Sequence, residues 1–218
     1  MARIYIYKMT VDDGGAPCVR DDLLTLAICK PAIRRKAKRG DIIMAFAAND
    51  VRGWRPKGRY RDNRLIYIAE VTRNIPSGKY YSTHRYQERP DCIYERDGDS
   101  LRHRKGAKFH GTATDQRRDV GEKKTGYKNA HVILSREFRY FADRGPSPRQ
   151  HAFARLANLI ANLTQGSRVN HRSELLPEIN RFMDKAWEHR RRFRATPIPK
   201  LRCQRSCDQD DVYVAPKC

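Results

Sequence analysis

Short apolar runs rich in β-branched and aromatic residues constrain this chain more than any other feature. "RIYIYKM", "DIIMAFA", "RLIYIAEVT" and "AHVILS" are each long enough for one strand, and far short of the roughly 18 consecutive apolar residues of a membrane-spanning helix. In the first run Ile4 and Ile6 point one way and Tyr5, Tyr7 and Met9 the other, so both faces are expected to be covered. "LLTLAIC" is too short for periodicity to arbitrate, and reads as either a strand or the lead-in to a helix. Ser147 and Pro148 open a helix whose apolar stripe is Phe153, Leu156, Leu159, Ile160 and Leu163, and Gly166 ends it. A second helix is expected over about Ser173 to Arg192, with Ile179, Phe182, Met183 and Trp187 inward. The order is strand, helix, strand, strand, a long excursion, strand and two helices. That is an α+β chain, expected as a small curled sheet with helices packed against it and a helical pair at the C-terminal end. Residues 1–146 would form the main domain, 147–195 a helical extension packed on it, and 196–218 a basic, Cys-containing tail.

The stretch "KPAIRRKAKRGDIIMAF" raises a question of orientation. Pro31 suits the first position of a helix and Gly40 the position past its end. Ile33 and Ala37, four apart, would seat that helix on the core. Lys30, Arg34 and Lys38 would then form an outward ridge, with Arg35 and Arg39 beside it. Between the second and third apolar runs lies "ANDVRGWRPKGRYRDN", too long for a tight hairpin turn. Its Arg52, Arg55, Lys57, Arg59 and Arg61 are interleaved with Trp54 and Tyr60, a pattern that suits phosphate pairing plus base stacking. "YYSTHRYQERP" can hold a short helix. "RHRKGAKFHGTATDQRRDVGEKKTGYKN" has little apolar content, and reads as a functional or disordered loop.

The charge balance narrows the partner. The 218 residues carry 46 Lys and Arg against 25 Asp and Glu, a net charge of +21, with 39% hydrophobic residues. An excess of this size favours a polyanion, and nucleic acid is the commonest; charge alone does not choose between DNA and RNA. No segment resembles a signal peptide. The six cysteines (Cys18, Cys29, Cys92, Cys203, Cys207 and Cys218) are scattered, which fits a reducing cytoplasm. Cys203 and Cys207, with Cys218 and His189, make one loose group rather than the paired knuckles of a structural zinc site, so no metal is expected. His103 and His110 flank a Gly-Lys segment and could line a site, although lone histidines in basic loops are more often solvent-facing.

Enzymatic signatures are mostly missing. The sequence holds no Gly-x-Ser-x-Gly, no phosphate-cradling Gly-x-x-x-x-Gly-Lys-Ser/Thr, no zinc-deaminase pattern and no dinucleotide fingerprint. "DCIYERDGD" collects Asp91, Glu95, Asp97 and Asp99, which could hold Mg²⁺ for phosphodiester chemistry.

"APCVRDDLLTLAICKPAIRRKAKRGDIIMAF", "RLIYIAEVT", "RPDCIYERDG", "HVILSREFRYFADRGP" and "LTQGSRVNH" together resemble the bacterial and phage family named nucleotide modification associated domain, second type. That family is linked to systems that make, or respond to, modified DNA bases, including phage defence. More distantly, Gly40-Asp41 and Glu70-Val71 match the layout of the PUA-like group with its EVE, YTH and ASCH domains. The resemblance implies a PUA-like curled sheet or barrel that holds a modified base beside the first strand. On that reading Thr25, Cys29, Lys30 and Tyr94 line the base pocket. Lys30, Arg34, Arg52, Trp54, Arg55, Lys57, Arg59, Tyr60 and Arg61 contact nucleic acid, and no cofactor is needed. The alternative is an enzyme of base hypermodification or modified-DNA cleavage, which would use Asp91, Glu95 or Asp119 with His110 or His131, with Mg²⁺ as its cofactor.

Overall fold

The computed structural model describes residues 2–53, 63–149, 151–164 and 166–189. Among these the strands are β1 (Ile4–Asp12), β2 (Cys18–Arg20), β3 (Leu23–Leu26), β4 (Ile42–Gly53), β5 (Leu65–Glu70), β6 (Arg73–Ile75), β7 (Tyr94–Asp97), β8 (Ser100–His103), β9 (Val132–Ser135), β10 (Glu137–Tyr140) and β11 (Ser167–Arg168). The helices are α1 (Pro31–Lys36), α2 (Lys79–Ser82), α3 (Ala113–Asp119), α4 (Ala154–Asn162) and α5 (Leu176–Glu188). The class is α+β. The strands form three sheets of five, four and two strands, and among the described residues they close no barrel. The expected single curled sheet is therefore replaced by separate sheets. The described residues divide into two compact units that interleave along the sequence, one built from 2–13, 36–53, 63–73 and the described part of 135–189, the other from 14–35 and 74–134.

The first unit contains the five-stranded sheet, in the order β10-β5-β4-β1-β11. β1 and β4 run parallel, with Ile6 opposite Met44 and Tyr7 opposite Ala45, and β5 pairs antiparallel to β4 with Ile68 opposite Met44. This register puts Ile6, Met44 and Ile68 on one face, where they meet Leu156 and Ile160 of α4 and Ile179, Phe182 and Ala186 of α5. Tyr5, Tyr7 and Met9 on the other face are also buried, so β1 is covered on both sides. Tyr7 and Tyr67 satisfy each other there, hydroxyl to hydroxyl at 2.9 Å. α4 begins at Ala154 rather than at Ser147, because the chain first makes a turn at His151–Phe153 that seats Phe153 in the core.

Gly40-Asp41 and Val71, which the sequence holds far apart, bond to each other. Gly40 N donates to the Val71 carbonyl at 2.9 Å and Val71 N to the Asp41 carbonyl at 2.8 Å. The Asp41 carboxylate then accepts from Arg3 N at 2.9 Å, Lys38 N at 2.8 Å and the Arg3 guanidinium at 3.0 Å. Gly40 has φ +85, a left-handed value that glycine adopts without a side-chain penalty.

The second unit is built on the sheet β2-β3-β9-β6 and the hairpin β7-β8. Its core is rich in tyrosine, with Tyr80, Tyr81 and Tyr94 packed among Ile28, Ile93, Val120 and Val132. "LLTLAIC" resolves into both of its readings, as strand β3 and then Ala27–Cys29 leading to α1. The stretch 101–128 is ordered and holds β8 and α3 rather than a structureless loop.

Candidate functional site

The second unit gathers its polar side chains around a fully buried carboxylate, that of Asp119. α3 presents it, and a capping box starts that helix: Thr112 Oγ1 accepts from Asp115 N at 3.1 Å while the Asp115 carboxylate accepts from Thr112 N at 3.4 Å. Asp119 Oδ1 accepts from Cys29 N at 2.9 Å. Its Oδ2 accepts from the Tyr94 hydroxyl at 2.9 Å and lies 2.5 Å from His110 Nδ1. A carboxylate at Nδ1 holds a proton on that nitrogen and turns Nε2 toward the other side of the ring. Nε2 is 3.5 Å from Cys29 Sγ. Burial, and then the Asp119 charge, push the Tyr94 hydroxyl far above its ordinary range, so it stays a donor.

The backbone around this carboxylate is unusual. Cys29, Lys30 and His110 have φ of 58, 41 and 51, left-handed values that non-glycine residues seldom adopt. Lys30 is partly buried, and that burial lowers its ammonium pKa to about 8.

Arg34 holds the frame of the site. Its side chain is fully buried, and Nε donates to the Cys29 carbonyl at 2.6 Å. Nη1 donates to the carbonyls of Asn129 at 2.7 Å and His131 at 2.6 Å, and Nη2 to that of Asp119 at 2.8 Å. The expected outward ridge of Lys30, Arg34 and Lys38 is thus not formed. Only six residues are helical, Pro31–Lys36; Lys30 precedes them in a left-handed turn and Lys38 follows them. Helical spacing cannot align three residues of which two lie outside the helix. Arg35, Lys36, Lys38 and Arg39 are exposed.

The remaining candidates have other hydrogen-bond and ion-pair partners. Asp91, also fully buried, accepts from the Thr25 hydroxyl at 2.5 Å and the Tyr80 hydroxyl at 2.8 Å, with Arg89 Nε at 3.6 Å. Burial raises its carboxyl pKa, partly offset by Arg89. Thr25 is thus a member of the Asp91 cluster. Glu95 and Asp97 pair with Arg102 at 2.9 and 3.0 Å on the β7-β8 hairpin. Asp99 is exposed near Lys123, at 3.9 Å. The four carboxylates of "DCIYERDGD" do not converge, and among the described residues no group of three metal-ligating side chains does. They do not fit Mg²⁺. His131 Nδ1 sits 3.2 Å from Asn74 Oδ1, its pKa lowered by burial and by Arg34. His103 Nε2 donates to the Phe109 carbonyl at 2.7 Å and so is not simply solvent-facing.

Arg52 lies in β4, which extends to Gly53 and takes up part of the expected loop. Trp54, Arg55, Lys57, Arg59, Tyr60 and Arg61 are outside the described residues, as are Cys203, Cys207 and Cys218. The sequence reading missed the roles of Arg34 and Arg89, since a buried guanidinium that serves carbonyls has no local signature. The start of α3 was legible, for Thr112-x-x-Asp115 is a capping pattern. No described helix is long and apolar enough to cross a membrane.

No curated protein and no solved structure matches the chain. The family model for nucleotide modification associated domain 2 matches residues 1–202. That span includes every described residue, those of the Asp119 site among them, and places the protein in a nucleotide-modification context. The chain belongs to the nucleotide modification associated domain 2 family.

Proposed function

We propose that the chain is a nucleic-acid-binding protein that recognises a modified base in DNA, at the Asp119 site, within a base-modification or anti-phage system of the cytoplasm. The observation that carries this reading is that two left-handed non-glycine residues, Cys29 and His110, bond to one buried carboxylate, with a third, Lys30, next to Cys29 in the chain. Such backbone costs on the order of 1–3 kcal/mol per residue and persists where surrounding structure over-determines it, most often at ligand sites. His110 would offer a ring nitrogen to an extruded base edge, and Lys30 a cation to the phosphate beside it, while Tyr94 holds the Asp119 carboxylate in place. The net charge of +21 supports a polyanionic partner, and the interleaved Arg52–Arg61 segment would hold the backbone while Trp54 or Tyr60 stacks. The Gly40-Asp41 pairing with Val71 supports a PUA-like arrangement of the first unit. No cofactor is invoked.

Fluorescence anisotropy on duplexes carrying 5-methyl-, 5-hydroxymethyl- or glucosylated cytosine against plain cytosine tests this. A preference of about tenfold or more is expected for one of them, and His110→Gln should abolish the preference while bulk binding persists. Equal affinity for every duplex removes the reading.

A second reading has its own observation. The 2.5 Å contact of Asp119 with His110 Nδ1 orients an imidazole as a general acid–base would be oriented, and supports an enzyme of base modification or modified-DNA cleavage. Mass spectrometry of nucleosides or fragments after incubation with modified DNA decides it. Product formation that His110→Gln eliminates favours the enzyme.

A further inference from the structure

The first unit carries a cleft of about 440 Å³ that no part of the Asp119 site enters. α4 supplies one wall: Arg155, Asn158, Leu159 and Asn162 recur three and four apart on a single face of that helix. Leu163, Arg168 of the edge strand β11, and the segment from Asn170 to Leu175 complete it. Leu159, Leu163 and Leu175 are the outer fringe of the helical core, partly buried, and form an apolar floor. Three arginines, Arg155, Arg168 and Arg172, stand around that floor against one carboxylate, Glu174.

These groups differ in what occupies them. Arg155 is used internally: Nη1 donates to the Glu174 carbonyl at 3.0 Å, and Nε lies 3.9 Å from Glu178. It ties α4 to the opposite wall. Arg172 is 89% exposed in its side chain and reaches Glu174 only at 4.0 Å. Arg168, among the described residues, makes no ion pair. His171 donates from Nε2 to the Ile4 carbonyl at 2.8 Å, and burial, the larger effect, together with Arg168 lowers its pKa. It fastens the cleft to β1.

The geometry points to a nucleoside monophosphate unit as the occupant, free or within a single strand. Its phosphate would sit on Arg168 and Arg172, whose planar forks pair with phosphate oxygens. Its base would lie against Leu159, Leu163 and Leu175, with Asn170 able to donate to and accept from the base edge. The volume is that of a small-molecule site. Three leucines beside a group of arginines suit an apolar ring that carries an anionic tail. An acidic peptide would satisfy the rim but place no planar face on the floor.

Titration calorimetry and backbone NMR shifts on the full chain, with dAMP, deoxyadenosine, inorganic phosphate and a five-nucleotide deoxyadenosine strand, test this assignment. dAMP is expected to bind and to shift amides of α4 and of residues 167–175, more tightly than phosphate or the nucleoside. Arg168→Ala with Arg172→Ala should weaken it about tenfold or more, and Leu163→Asn should weaken dAMP while leaving phosphate unchanged. Strand binding at least about tenfold tighter than dAMP identifies a strand as the source; equal affinity identifies the free nucleotide. No dAMP binding, phosphate binding as tight as dAMP, or displacement of dAMP by an acidic leucine-containing peptide of higher affinity overturns the assignment. The outcome is separable from that of the Asp119 site. His110→Gln should leave dAMP shifts at the cleft intact, and the double arginine variant should keep any discrimination between modified and plain duplexes.

Discussion

Arg34 shows how far a charged residue can be from a charged surface. Four backbone carbonyls occupy its guanidinium, and its side chain is fully buried. Arg34→Ala would leave those carbonyls unsatisfied and open a cavity; a loss of about 3–5 kcal/mol in urea unfolding is expected. Arg35→Ala, whose exposed side chain reaches only Asn129 Oδ1 at 2.7 Å, should change stability by no more than about 0.5 kcal/mol. Equal effects would mean that the helix sits the other way round. Lys30 offers a test in pH. Its folded pKa is about 8 against an ordinary 10.5, so between those values the unfolded chain holds more protons than the folded one. Stability from this residue must therefore rise as pH increases through that window, because the burial penalty on the ammonium disappears. Melts followed from pH 7.5 to 10 should show that rise relative to Lys30→Met, which lacks it. A wild-type profile parallel to that of the variant would place the ammonium in free solvent.

Elements are held by contacts that their own sequences do not announce. Gly145 has an ordinary φ, yet a Cβ there would overlap the Leu65 carbonyl, and Leu65 N donates to the Pro146 carbonyl at 3.0 Å. The segment after β10 thus lies directly against the start of β5. Gly145→Ala should cost about 3 kcal/mol or more in a thermal or urea melt, since backbone cannot yield as a side chain can. A neutral result would show that the two segments are less close. α1 was foreseen as a helix between Pro31 and Gly40, but it stops at Lys36, because the Asp41 carboxylate takes Lys38 N and turns the chain. α3 shows the opposite case: a capping pattern marks its start, but its sequence is so polar that no apolar stripe marks its body, and its buried residues, Asp115 and Asp119, are themselves carboxylates.

Across the whole molecule, net charge governs the long-range attraction of a partner. If about five phosphates are neutralised on binding, log K against log[salt] should slope near −4, and a slope close to zero would remove the polyanion as partner. Part of the net charge of +21 is unavailable for this, as Arg34 and Arg89 are buried among acceptors. The sequence by itself determined the α+β class, the strands β1, β4, β5 and β9, the inward residues of α4 and α5, and the family. Each follows from local apolar periodicity or from linear motifs, which survive in one dimension. Only the tertiary structure decided the sheet pairing, the separation of the strands into open sheets and the composition of the polar sites. Cys29 and His110 are 81 positions apart and Arg34 and Asn129 are 95. Polar residues at such separations carry no pattern that states their partners. Whether an arginine meets solvent or four carbonyls depends on where the backbone of other segments passes, and that is fixed only when the chain has closed around it.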